Sequence, residues 1–433
     1  MKFKKPINEN YCATVVKIKN VVQLDNCDNI QGTIIFGNNI IISKDVNVGD
    51  IGVYFPAETQ LSHEYTNYNN LYRHSELNYD DTKKGYLEDN RRIRTMKLRG
   101  NKSMGLFMPL TSLEFVIDAD ELSEGDIFDE IKNIPICNKY IVPVKNSGGA
   151  NKQKKKLKKI SKLIDGQFRF HDDTAQFGKN AHRFKPDDIM SITYKLHGTS
   201  VIISNILCKK KLNLFNKFLK LIGVKVIDTE YDNIYSSRKV IKNDDLNTSK
   251  NSYYEIDIWG LANDKIKEFL LDGMTVYAEI VGHLPNGAYI QKSYDYGCGK
   301  TDYEVYIYRI TYTNPSGNVF EFSAKQVQDW CKERGLKAVP ELYYGKVRDI
   351  FQVYTYDDGL DLADNLINYL KQVYLEQDCY MCKNKLPAEG IVVRKEANDN
   401  QSYKLKSFRF LKRETDLLDK GEEDIEESQK GDE

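Results

Sequence analysis

Lys195-Leu196-His197-Gly198-Thr199-Ser200 lies between two apolar runs, and its reading decides the rest of the chain. Ile189–Lys195 reads as a strand that ends on the lysine. A tight glycine turn follows, and Val201–Ile203 resumes at once. A lysine at such a strand end can be held in a cleft with its amine aimed at a ligand. Desolvation and neighbouring cations lower a lysine pKa and make the amine a nucleophile. The same six residues also fit an exposed hairpin turn, so the decision rests on what the remaining chain supplies.

Four further elements supply it. Tyr235-Ser236-Ser237-Arg238-Lys239 offers hydroxyls and a guanidinium suited to phosphate or ribose. Val276-Tyr277-Ala278-Glu279-Ile280-Val281-Gly282 reads as an apolar strand with one carboxylate, which needs a partner, a metal or a ligand. Lys385-Leu386-Pro387-Ala388-Glu389-Gly390 places a glutamate before a glycine turn at the edge of the strand Ile391–Arg394. In Ser402-Tyr403-Lys404-Leu405-Lys406 the strand period puts Lys404 and Lys406 on one face. Two adjacent ammonium groups repel unless anionic groups lie between them, and a triphosphate meets that need. Together the five elements ask for one site with a nucleophilic lysine, carboxylates for a divalent metal and cations for phosphates.

In this order the elements resemble motifs I, Ia, III, IV and V of the covalent lysine nucleotidyltransferases. That superfamily holds the DNA ligases, RNA ligases and mRNA capping enzymes. Tyr303–Ile310 resembles motif IIIa, where a ring stacks on the nucleobase; the strand end puts that ring at Tyr308, with Tyr306 as the second choice. His197 followed by Gly-Thr-Ser is closest to the RNA ligase branch of phage RNA ligase 2 and the trypanosome editing ligases. Phe168–Gln176, with Lys179-Asn180 after it, resembles the segment before motif I in RNA ligases with an N-terminal OB domain, the Naegleria type.

The resemblance implies an ATP-dependent RNA ligase. Lys195 would attack the α-phosphate of ATP, and AMP would pass to an RNA 5′-phosphate before a 3′-hydroxyl seals the break. His197, Gly198, Ser237, Arg238, Glu279, Tyr308, Lys404 and Lys406 are the expected ATP contacts. Glu389 and Glu279 are expected to face Mg2+ or Mn2+. The expected partner is RNA with 5′-phosphate and 3′-hydroxyl ends in a nicked duplex, bound by a monomer without membrane contact. Two alternatives remain: a capping-type guanylyltransferase, and a non-catalytic RNA-binding protein that kept the fold. DNA ligases and capping enzymes carry an OB domain after motif V, whereas 27 mostly polar residues follow Lys406.

The expected fold class is α+β. An OB-like β-barrel occupies 1–140, a lysine-rich linker 141–165, a nucleotidyltransferase domain of antiparallel sheets with helices 166–413, and an acidic tail 414–433. The barrel rests on Tyr11–Leu24, Gly32–Ser43 and Ile51–Phe55, which are rich in Val, Ile and Tyr and separated by Gly, Asn and Asp turns. Arg91, Arg92, Arg94, Lys97, Arg99 and Lys102 crowd twelve residues without a carboxylate and suggest a phosphate-tracking groove that grips RNA. Tyr65, Tyr68, Tyr72, Tyr79 and Tyr86 are either base-stacking rings or loop anchors.

Between these domains, Lys152–Lys162 holds seven lysines and no acid, which suits a soluble linker, a nuclear-localisation signal or an RNA-contacting hinge. Lys209–Lys225 carries apolar residues at helical spacing with lysines between them, and a packed amphipathic helix is expected. Ala324–Arg334 reads as a helix capped by Ser323 and stopped by Gly335. The whole chain of 433 residues is neutral, but the tail 414–433 carries −8, so residues 1–413 carry +8. Eight cysteines without disulfide-scaffold spacing, and the absence of an apolar leader or membrane span, point to an intracellular protein in a reducing compartment. Cys379 and Cys382 form a lone pair, short of the four ligands of a zinc site.

Overall fold

A computed structural model describes residues 3–25, 27–142, 162–171, 173–243, 256–353, 356–357, 359–397 and 399–421. Most of the expected linker and the end of the acidic tail lie outside the described residues.

In the N-terminal domain Gly105–Pro109, Ile51–Pro56, Ala13–Lys17 and Ile127–Phe128 form a four-stranded antiparallel sheet in that order. Successive strand residues point to opposite faces, and both faces of this sheet are covered. Val15, Val53 and Phe55 enter one apolar cluster, while Val16, Tyr54 and Phe107 enter another. That explains the continuous apolar runs in place of strict alternation. Ile30–Ile35 pairs with Asn38–Ser43 in a hairpin closed by Phe36-Gly37. Both turn residues have positive φ, 51° and 77°, the conformation that matches strand twist in a two-residue hairpin. Tyr65 and Tyr72 are anchors: both are fully buried, Tyr65 in the helix His63–Tyr68 bonds Ser112, and Tyr72 meets His63, whereas Tyr68, Tyr79 and Tyr86 are exposed.

The C-terminal domain is built on two sheets. One runs Ala175–Gln176, Gln401–Lys406, Gly390–Lys395, Ile189–Lys195 and Glu341–Lys346. The other runs Thr229–Ser236, Thr199–Lys209, Met274–Gly282, Tyr303–Thr313 and Val319–Glu321, with Lys337–Ala338 beside it. Pairing is antiparallel except for the two short strands Ala175–Gln176 and Lys337–Ala338. The chain crosses from the first sheet to the second at Leu196-His197-Gly198, so the lysine turn is the seam between them. The Ile258–Ile266 helix closes the second sheet, with Trp259 fully buried and its indole N–H donated to the Ser200 carbonyl. Ala324–Glu333 starts at Ser323 with a complete capping box and ends before Gly335, whose φ is +65°.

Two expectations need correction here. The lysine-rich segment forms the helix Leu214–Leu221, but none of its residues is buried. Apolar spacing tells which face is apolar, not that another element covers it. The acidic tail does not begin its own segment at 414, because the helix Phe408–Asp419 runs through that boundary and Glu414 and Thr415 pack inward.

Candidate active site

Strand register assembles the centre of the site. Lys195 pairs with Gly390, and Gly390 pairs with Lys406, so three neighbouring strands bring these residues into one row. Glu389, one residue before Gly390, then lies between the two lysines. Its Oε1 is 2.9 Å from Lys195 Nζ and 3.1 Å from Lys406 Nζ. Gly390 has φ +147°, and a Cβ there would fall 2.1 Å from the Leu405 carbonyl oxygen. Only glycine lets the backbone deliver Glu389 this close to the Lys406 strand.

The electrostatics of this row correct one expectation. Burial pushes the Lys195 ammonium towards the neutral amine, but Glu389, with Glu279 further off, outweighs burial and the repulsion of Lys406. The net shift of Lys195 is upward, and it is a paired ammonium, not a desolvated free amine. Burial pushes the Glu389 carboxyl up, yet Lys195, Lys406 and His197 hold it down to about 2. Lys406 is also desolvated, but Glu414, at 3.5 Å, and Glu389 raise it well above the usual lysine range. Lys404 behaves in the opposite way. Burial lowers it, and Lys406, Lys195, Arg238 and Lys139 lower it further. Among the described residues no carboxylate lies within ion-pair distance of Lys404. The cavity thus has a balanced carboxylate–lysine row beside Lys404, whose ammonium is disfavoured by burial and by its cationic neighbours.

Glu279 stands on the neighbouring sheet. Its Oε1 accepts the Gly198 N–H at 2.9 Å, and its Oε2 accepts the Ser200 hydroxyl at 3.2 Å. The expected metal-facing carboxylate is therefore engaged in holding the turn after Lys195. Gly198 is fixed for steric reasons, since a Cβ there would lie 2.2 Å from the Ile280 carbonyl oxygen. His197 donates its backbone N–H to the Tyr296 hydroxyl at 2.6 Å, and its ring packs edge-on against Tyr294 and Phe410. Desolvation lowers its pKa against the pull of Glu389.

Tyr308 reaches the cavity through a bulge. Tyr277 pairs with Arg309 and Ala278 with Ile307, which leaves Tyr308 as the extra residue. A bulge turns consecutive side chains to one side, and both Tyr308 and Arg309 line the cavity. Tyr306 instead packs into the apolar cluster around Leu196 and Val281. Arg309 Nε is 3.0 Å from Glu321, and its guanidinium lies over the Tyr277 ring. His171 meets the Tyr308 ring edge-on, and burial with Arg309 and Arg238 nearby pushes it down to about 3.

Arg238 lines the cavity and pairs with Asp173. Ser237 does not reach it. That side chain is fully buried, and its hydroxyl donates to the Val240 carbonyl at 3.3 Å. Both residues follow the end of the Thr229–Ser236 strand, where Ser237 turns inward and Arg238 towards the cavity.

The Arg91–Lys102 run is not an open groove. Arg92 is fully buried, with Nε 2.7 Å from Glu58 and Nη1 3.0 Å from Asp419. Arg94 also bonds Asp419 at 3.2 Å. Lys97 and Lys102 lie over the Phe408 ring, and Arg91 donates Nε to the Leu61 carbonyl. Lys97 and Arg99 are exposed, Arg99 at a turn with φ +49°. The cations clamp the N-terminal domain onto the Phe408–Asp419 helix. As a result Tyr11, Glu58, Lys139 and Tyr140 line the same cavity as Lys195. These residues carry no motif of their own in the sequence.

A lysine, a carboxylate shared with a second lysine, and further cations thus meet in one cavity at the seam of two sheets. The RNA ligase family matches residues 188–407, and the chain belongs to that family. A family of OB-fold domains matches residues 12–110. No curated protein matches the chain by sequence. Among solved structures, an apo point mutant of Naegleria gruberi RNA ligase shares 16% identity, covers 95% of this chain and 100% of its own, and superposes with a TM-score of 0.59. A second point mutant of that ligase, with AMP and Mn, is also 16% identical, with 93% and 98% coverage and a TM-score of 0.57. A third, with ATP and Mn, is 15% identical, with 94% and 100% coverage and a TM-score of 0.56. These likenesses establish the two-domain fold of an OB domain followed by a ligase domain.

Proposed function

We propose that the cavity binds ATP with a divalent cation and that Lys195 carries AMP between ATP and an RNA 5′-phosphate. The observation that carries this reading is the row Lys195–Glu389–Lys406 beside Lys404 and Arg238 in one cavity. The Naegleria gruberi structures with ATP, AMP and Mn support it.

The residues fit a cation. Glu389 Oε2 is buried and has no hydrogen-bond partner among the described residues, which leaves an anionic oxygen with open valence. A hard oxygen donor suits Mg2+ or Mn2+. Among the described residues no three His, Cys, Asp or Glu side chains converge on one ion site, so phosphate oxygens and water complete any shell. A divalent ion held at Glu389 would supply charge neutralisation on the phosphates and draw the carboxylate from the Lys195 ammonium.

The chain's own groups do the rest. Lys404, Lys406 and Arg238 hold the phosphates. Tyr308 offers its ring to the base. Glu279 fixes the Gly198 turn and thereby the direction of Lys195. The Lys195 amine, having given its proton to solvent, bonds the α-phosphorus as the bond to the pyrophosphate oxygen breaks. An RNA 5′-phosphate oxygen then takes the AMP and frees the lysine, and a 3′-hydroxyl attacks the activated phosphate and expels AMP. Lys139 and Tyr140 give the N-terminal domain a part in the nucleotide step, beyond the RNA grip expected of it.

The test is incubation of the full chain with radiolabelled ATP or GTP and magnesium. Covalent label from ATP is expected, and Lys195→Ala should abolish it while still sealing RNA supplied already adenylated. Wild-type labelling of the alanine variant would remove the mechanism. Labelling from GTP alone would move the chain to the capping class.

A further inference from the structure

Beyond the cavity, the Leu214–Leu221 helix and its flanks form a surface that the ligase chemistry does not use. They join the far ends of Thr199–Lys209 and Thr229–Ser236. At about 3.3 Å per strand residue, the helix stands roughly 30 Å along the sheet from the Lys195 turn. Asn213 caps it through a bond from the Asn216 N–H. Leu214 and Leu221 are 85% and 84% exposed, Ile227 is 80% exposed, and Phe215, Phe218 and Ile222 are exposed as well. At about 100° per residue, the apolar residues from Leu214 to Ile222 fall within an arc of roughly 160°, and Asn216, Lys217 and Lys220 occupy the other side. Between Lys209 and Asp228 stand six lysines and one aspartate. Lys220 pairs with Asp228, and Lys210 with Glu230, on the polar side.

Exposing this apolar face to water is unfavourable by the usual cost of apolar area, so an occupant is required, and charge chooses it. A second copy of the same face would oppose two lysine-rich surfaces. The chain's own segment 422–433 is acidic, but its one apolar residue, Ile425, cannot cover six apolar side chains. RNA would satisfy the lysines yet leave Leu214, Leu221, Ile222 and Ile227 in water. An anionic lipid surface satisfies both halves. Phe and Leu enter the boundary between headgroups and acyl chains, and lysines meet the lipid phosphates. We infer that this amphipathic helix docks the ligase peripherally on membranes rich in anionic phospholipid, against the expectation of a chain without membrane contact.

The experiment is flotation of the full-length protein with vesicles of phosphatidylcholine alone or mixed with phosphatidylserine. Binding to the mixed vesicles only, weakened by salt, is expected. Phe218→Glu combined with Leu221→Glu should reduce that binding by about tenfold or more. The thermal midpoint should stay unchanged, which separates lost docking from lost folding whatever the catalytic reading. Four results would each overturn the inference: no flotation with anionic vesicles, equal flotation of the variant, loss of RNA affinity in place of lipid affinity, or a dimer that the same variant dissolves. Binding gained only after removal of residues 422–433 would show instead that the acidic segment occupies the helix.

Discussion

One carboxylate oxygen of Glu389 holds two ammonium groups, and the other accepts no hydrogen bond among the described residues, with His197 Nδ1 3.8 Å away. Replacing this residue therefore does more than remove a ligand. Glu389→Gln leaves Lys195 and Lys406 buried side by side without their shared charge. A loss of about 3 kcal/mol in urea unfolding is expected, together with loss of self-adenylation even at high magnesium. The pH dependence follows from the same geometry. The folded carboxyl is held down to about 2, below its unfolded value, so its stabilisation is full above the ordinary carboxyl range and fades as pH falls towards 2. The stability gap between wild type and Glu389→Gln should accordingly narrow between about pH 4.5 and pH 2. Urea midpoints at stepped pH measure it; a constant gap would mean that Glu389 is not ionised in the fold. Gly198→Ala tests the turn in a different way. The added methyl meets the Ile280 carbonyl, so the turn must move away from Glu279, and labelling by ATP should fall by about a hundredfold while the overall fold persists.

At the level of strands and helices, the clamp on the last described helix is the contact most open to measurement. Arg92 has no exposure, whereas Asp419 keeps about a third of its side chain in water (34%). Arg92→Ala should cost about 3–5 kcal/mol, because it also strands Glu58 in the interior. Asp419→Ala should cost about 1 kcal/mol, since solvent screens that end of the pair. Equal losses in denaturant titrations would place the clamp elsewhere. The elements themselves were largely legible in the chain. Ile189–Lys195 was read to its final residue, because alternation and the following glycine are local signals. Glu389 and the two lysines of Ser402–Lys406 were legible for the same reason. What could not be read depends on a second strand or a distant residue. The Tyr308 bulge exists only against Met274–Gly282, and the burial of Arg92 needs a carboxylate 327 positions away. Ser237 was lost because its neighbour Arg238 takes the cavity side.

Taken as a whole, the molecule encloses the Lys195 cavity with two domains. Lys139, from the N-terminal domain, adds to the positive field at Lys404 from across the boundary. Lys139→Ala should raise the KM for ATP in self-adenylation by about tenfold with little change in sealing of pre-adenylated RNA. Equal effects on both steps would assign Lys139 to RNA instead. The interface itself is polar and long-range. Asn10 accepts two bonds from Gln176, through its side-chain and backbone oxygens, and Lys179 reaches the Glu9 carbonyl.

The Arg92–Asp419 bond also sets an order of assembly. Its partners are 327 residues apart. At about 5–20 residues per second, the ribosome adds Asp419 roughly 15–65 s after Arg92. Throughout that interval the N-terminal domain can fold, but Arg92 meets only partners within it, Glu58 and the Tyr140 ring among them, and the wall formed by Phe408–Asp419 has not been made. A nascent chain therefore cannot close the Lys195 cavity before Phe408–Asp419 is made. On the function proposed above, a product that stops short of that helix would be unable to consume ATP.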